Sequence, residues 1–144
     1  MSGARDGQEN PAGRAIPLVD GAQTGGRVAL VEFRVGSGQE PPLHMHRWED
    51  EIIYMLEGEV TFYIGGEPCE VPAGTCLLLP RGVEHCYRVE SGEVRLLVVV
   101  APAGIEGLYA ELDGLEAGGR TDLERLVTVA ARYGVTIIGP APAT

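Results

Sequence analysis

Between residues 27 and 100 the chain alternates hydrophobic and polar positions in short runs. From Arg27 to Val35, Ala29, Val31, Phe33 and Val35 fall on one face, with Glu32 and Arg34 on the other. That is the period-two pattern of a half-buried strand. Gly36–Pro42 breaks it, and His44–His46 resumes an extended segment. After the polar turn 47–50, Glu51, Ile53 and Met55 share a face of the next strand, and Glu57-Gly58 connects it tightly to Val60–Ile64. Gly65-Gly66 signals a second hairpin. Pro68–Val71 reads as a short edge strand because proline cannot donate to a ladder. Thr75–Leu79 is a nearly continuous apolar run, suited to a strand buried on both sides. Glu84–Val89 and the β-branched Val94–Val100 come next. About eight short strands joined by glycine turns predict an all-β sandwich or barrel over residues 27–101.

The flanks read differently. Residues 1–26 are expected to form a flexible N-terminal arm, with a short strand at Ile16–Val19 placed at a sheet edge or an interface. After Pro102 the spacing changes. Ile105–Leu112 is a candidate short helix. Thr121 and Glu124 make a capping box, and Leu123, Leu126, Val127 and Ala130 repeat at helical spacing until Gly134. Residues 102–144 are therefore expected as an extension carrying one helix that packs on the barrel, with a last strand at Val135–Ile138.

Composition narrows the function. A length of 144 residues suits one domain. The formal net charge is −10 and all eleven basic residues are arginine. No basic cluster is present to neutralise phosphates, so neither nucleic acid nor an anionic membrane is an expected partner. The N-terminus has no apolar core of a secretory signal, and the longest apolar run, Leu96–Ala101, is far below a membrane span. Cys69, Cys76 and Cys86 have no zinc-type spacing, and reduced thiols in a cytoplasmic protein account for them most simply.

The candidate chemistry lies in the chain's three histidines, which fall in two short stretches. On a strand His44 and His46 point the same way. Glu51 comes five residues later, and His85 supplies a third imidazole. Imidazoles grouped with a carboxylate make a mixed nitrogen and oxygen metal site. Glu49, Asp50 and Glu57 compete with Glu51. Glu49 comes too soon after His46 for the chain to return, and Asp50 faces out if Glu51 faces in. Trp48, Tyr87, Phe33 and Met55 are the residues expected to line a substrate pocket, with core packing as their alternative role.

Written as spacings, Gly38, His44, His46, Glu51 and Gly58 make one motif, and Gly74, Pro80, Gly82 and His85 a second. The two together resemble the signature motifs of the cupin superfamily, and the fit covers about half the chain. Val89 stands where the family pattern has an Asn that is not a metal ligand. The C-terminal segment is similar to the tail of small single-domain, quercetinase-like cupins. The resemblance implies a double-stranded β-helix, a jelly-roll-like barrel, with a C-terminal α-helix. It also implies one divalent transition metal ion held by His44, His46, Glu51 and His85. Such donors suit Fe or Mn first, with Ni, Co, Cu or Zn as alternatives, and not Ca or Mg, which prefer oxygen shells.

In function, the resemblance implies a dioxygenase acting on an enolic or phenolic small molecule, with Glu51 doubling as the catalytic base. A non-oxidative metal-dependent cyclase, isomerase or decarboxylase is the first alternative. A non-catalytic small-molecule or metal-binding protein is the second. Cupin barrels pair through sheet edges, so a homodimer is expected, with Ile16–Val19 crossing to the second copy.

Overall fold

The computed structural model describes residues 13–117 and 123–140, with side chains described as far as Leu112 in the first of these segments. The elements in chain order are β1 (Arg14–Val19), α1 (Gly21–Thr24), β2 (Ala29–Gly36), β3 (Leu43–His46) and β4 (Asp50–Glu57). Then come β5 (Glu59–Ile64), β6 (Glu67–Pro72), β7 (Cys76–Leu79), β8 (His85–Val89) and β9 (Glu93–Ala101). α2 (Glu106–Ala117), α3 (Leu123–Ala131) and β10 (Val135–Gly139) complete the order. The strands form two five-stranded sheets, ordered β1-β2-β9-β4-β7 and β10-β3-β8-β5-β6, and every pairing is antiparallel. The fold is the expected all-β barrel with helix at its C-terminal side. The expected capping box at Thr121 and the first twelve residues lie outside the described residues.

The core sits between the inner faces. On β9 Val94, Leu96, Val98 and Val100 are buried, while Leu97 and Val99 turn to the outer face and are half-buried. On β4 Glu51, Ile53 and Met55 point inward together, as their alternation predicts. Phe62 and Met55 are the largest fully buried side chains, and burying each contributes about 1.5–3 kcal/mol. The β4–β5 turn needs glycine. Gly58 has φ +83°, and a Cβ there would lie 2.7 Å from Val94 Cγ1.

Three sequence expectations are corrected. Thr75–Leu79 is not buried on both sides. β7 is the edge of its sheet and Leu78 is 56% exposed, because an apolar run alone does not say whether a neighbour covers its second face. The segment after residue 101, expected to carry one helix packed on the barrel, holds two, since α2 takes up the candidate short helix at Ile105–Leu112 and runs on to Ala117, and β10 continues the sheet beside β3. On α3 the inward residues are Leu126, Val129 and Ala130, whereas Leu123 and Val127 are exposed. The helix is rotated relative to the expected stripe because its inward seam meets the barrel mouth. β1 pairs with β2 of the same chain as the outer strand of its sheet. No helix among the described residues is long and apolar enough to cross a membrane.

Candidate metal centre

Strand pairing and short turns bring the histidines together. β3 pairs with β8 so that His44 lies opposite His85. The turn before β8 is tied down twice. Gly82 N–H donates to the His46 carbonyl at 2.8 Å, and Arg81 N–H donates to Asp50 Oδ1 at 2.9 Å. Glu51 enters from the other sheet, where it lies opposite Val100 and Leu79.

The ring centroids are 5.0 Å apart for His44 and His46, 4.5 Å for His44 and His85, and 5.4 Å for His46 and His85. Each Nδ1 has a partner. That of His44 lies 2.6 Å from the Pro42 carbonyl, that of His85 3.4 Å from the Val83 carbonyl, and that of His46 2.9 Å from Glu49 Oε1. Two of the three thus use a carbonyl two residues upstream. A ring whose Nδ1–H donates in this way presents the Nε2 lone pair as its ligand atom.

Glu51 Oε1 lies 3.6 Å from His46 Nε2 and 3.5 Å from His85 Nε2. One ligand nitrogen from each histidine falls within 4.8 Å of the others. Donors sharing an ion at about 2.1 Å lie about 3.0 Å apart in adjacent positions and about 4.2 Å apart in opposite ones. The three imidazole nitrogens lie close enough together to share a transition ion, and the Glu51 carboxylate adjoins those of His46 and His85.

Burial decides the protonation of the rings. It lowers His44 to about 3, with His85 and His46 adding to the effect, and lowers His85 to about 4, with help from His46. Both imidazoles are therefore neutral, the form that ligates. Burial alone would also lower His46, but Glu51 and Glu49 outweigh it and raise it. Burial raises Glu51 as well, with Glu49 adding to it against the pull of His46.

The site lines a cavity of about 130 Å³. Its walls are apolar: Phe33, Ile53, Phe62, Leu79, Leu96 and Val98 come from the barrel, and Leu108, Leu112, Leu126 and Ala130 from the helices. Of the expected pocket residues, Phe33 and Tyr87 line this cavity. Met55 does not, being fully enclosed in the core beside it. Trp48 does not either. Its indole is half exposed and lies over the backbone of Gly134, because the 47–50 turn leads away from the barrel interior.

Two residues escaped the sequence reading. Glu49 does return to His46, since the turn after β3 curls back within three residues. Tyr109 of α2 lines the cavity and meets Phe33 edge-on, centroids 5.0 Å apart. The signal for Tyr109 was present: Ile105, Leu108, Tyr109 and Leu112 make one helical face that must be covered.

Residues 30–100 match the family model of the cupin domain. The solved structure of TT1209 from Thermus thermophilus is 31% identical, with a TM-score of 0.60, and the match covers 71% of this chain and 95% of that one. The chain belongs to the cupin family. The polyketide cyclase RemF from Streptomyces resistomycificus is 30% identical to this cupin with a TM-score of 0.54, over 65% of this chain and 70% of that one. Quercetin 2,3-dioxygenase of Bacillus subtilis is 29% identical over 107 residues, which are 73% of this cupin. This cupin spans only 32% of that enzyme's length. Cupins commonly bind a metal, and the three-histidine group is where this one has the donors for it.

Proposed function

We propose that this cupin is a metal-dependent dioxygenase acting on a small enolic or phenolic molecule, with Fe or Mn as its ion. The observation that carries the reading is that three imidazole nitrogens, with Glu51 beside two of them, line one largely apolar cavity. Similarity to quercetin 2,3-dioxygenase supports it. The ion would supply open positions for a chelating substrate and the redox capacity to use dioxygen.

The chain's own residues do the rest. The carbonyls of Pro42 and Val83 and the Glu49 carboxylate hold the three rings in orientation. Glu51 faces the cavity beside His46 and His85, within reach of a hydroxyl bound there, and takes its proton. Phe33, Phe62 and Leu96 exclude water around the reacting oxygens.

A second reading is favoured by the likeness to RemF: cyclisation or isomerisation without oxidation, on an ion such as Zn. Oxygen uptake by metal-loaded protein with catechol-type compounds tests the first reading. Uptake that matches substrate loss and disappears in His85→Ala is expected. Product formed without oxygen supports the second reading. Tight binding with neither uptake nor product leaves a binding protein. Cytoplasmic residence, which accords with the free cysteines Cys69, Cys76 and Cys86, and pairing into a homodimer belong to the same proposal.

A further inference from the structure

Asp50 and Arg81 clamp together the two stretches of chain that carry the metal donors. Glu51 on β4 lies opposite Leu79, the last residue of β7. Just past that pair, Asp50 meets Arg81. Glu51 is buried, whereas the Asp50 side chain is half exposed, as alternation along β4 requires. Arg81 N–H donates to Asp50 Oδ1 at 2.9 Å. Its Nε donates to the same oxygen at 3.4 Å, and its Nη2 to Oδ2 at 3.2 Å. One carboxylate thus holds both the backbone and the guanidinium of Arg81, the strong two-point geometry of such pairs. The next residue, Gly82, donates its N–H to the His46 carbonyl at 2.8 Å. Val83 follows, and its carbonyl is the partner of His85 Nδ1.

His85 needs this support. β8 is paired with β5 along its length, from His85 opposite Ile64 to Val89 opposite Val60. Its register with β3, which carries the other two imidazoles, consists of His44 opposite His85. The ladder therefore sets His85 against the other donors at one point, and the turn before it supplies a second. An exposed ion pair adds little to global stability. The effect of this one is local: it decides where the turn sits, and through Val83 how the His85 ring is aimed.

We propose that Asp50 and Arg81 are positioning residues of the metal site, holding the turn before β8 so that His85 meets the ion together with His46 and Glu51. The three acids at 49–51 then act on one site in three ways: Glu49 orients His46, Glu51 faces the ion, and Asp50 places His85. The inference rests on the metal-site reading above and deepens it.

Zinc affinity, measured by competition with a chromogenic chelator, tests it. Asp50→Ala is expected to bind zinc about 10-fold more weakly than the wild type. Asp50→Asn keeps an acceptor for Arg81 N–H and should lose about threefold, as should Arg81→Ala. Asp50→Ala and Arg81→Ala in one chain should lose no more than Asp50→Ala alone, because both act through one contact. Glu57→Ala is the control. It removes an exposed ion pair to Arg95, 2.6 Å long, at the other end of β4. Its zinc affinity should stay within about twofold of the wild type, and the metal-free Asp50→Asn variant should melt no lower than metal-free Glu57→Ala. Zinc affinity in Asp50→Ala and Asp50→Asn within about twofold of the wild type overturns the proposal while the metal-site reading stands. So does an equal loss in Glu57→Ala, which would make the effect one of general stability. A wild type that binds no zinc removes the metal-site reading and this inference with it.

Discussion

Nδ1 of His46 lies 2.9 Å from Oε1 of Glu49, and both side chains are buried. The carboxylate fixes the ring's tautomer and leaves Nε2 facing Glu51. Losing such a support commonly lowers metal affinity about 10–100-fold. Glu49→Ala is expected to show a loss of that size in competition with a chromogenic chelator. Glu49→Gln should lose less, since its side-chain carbonyl still accepts the hydrogen bond. An unchanged affinity in the alanine variant would remove the role assigned to Glu49.

Trp48 acts on stability and not on the cavity. Gly134 has φ +76°, and a Cβ there would lie 2.6 Å from Trp48 Cδ2. The same turn is pinned where Arg47 N–H donates to the Gly134 carbonyl at 2.8 Å. Gly134→Ala meets both a left-handed backbone and a clash, and is expected to cost about 1–3 kcal/mol in thermal unfolding. Trp48→Ala in the same chain should return part of that loss, since it removes the clash and leaves only the backbone strain. Costs that simply add would show that the two residues do not meet.

The barrel and its metal end were legible because both rest on local rules. Period-two alternation placed Ala29, Val31 and Val35 inward, and the same rule put Glu51, Ile53 and Met55 on one face. The spacing His44, His46, Glu51 and His85 survives translation into space because strand pairing brings His44 opposite His85. What alternation could not supply was which inward residues border empty space. Met55 and Phe33 obey the same pattern, yet one is enclosed by core and the other faces the cavity. Glu49 was missed because turn geometry, not strand period, aims it. Tyr109 was missed because helices docking from residues beyond 101 build the far wall.

β1 pairs with β2 of its own chain, so in place of the expected crossing of Ile16–Val19 we propose that two copies meet through the outer face of the first sheet. Ile52, Tyr54 and Leu78 lie there at 43%, 41% and 56% exposure, with Ile52 opposite both Leu78 and Val99. Ile52→Glu combined with Leu78→Glu should convert a dimer to a monomer in sedimentation velocity while far-ultraviolet circular dichroism is unchanged. A variant that sediments like the wild type would place the interface elsewhere.

Beside that patch Glu32 accepts hydrogen bonds from Arg95 at 2.9 Å and Arg34 at 3.0 Å. Burial works to raise its carboxyl, but the two guanidinium groups prevail and hold it below its ordinary value. A carboxylate lowered in the folded state stabilises fully above its unfolded pKa, about 4.3, and loses that contribution as pH falls through the folded value. Because the arginines are partly exposed, the contribution is about 1 kcal/mol. Urea unfolding should find Glu32→Gln weaker by that amount near neutrality, with the gap closing as pH falls below about 4.3 and through the lowered folded value. A gap independent of pH would mean that packing, not charge, is what the substitution removes.

The central claim is that His44, His46, His85 and Glu51 hold one ion between them. Elemental analysis of the purified protein, together with its His85→Ala variant, tests this most directly. About one transition-metal ion per chain is expected in the wild type and a small fraction of that in the variant. A wild type that takes up no transition metal even when supplied with it, or a variant that retains the full amount, would contradict the account.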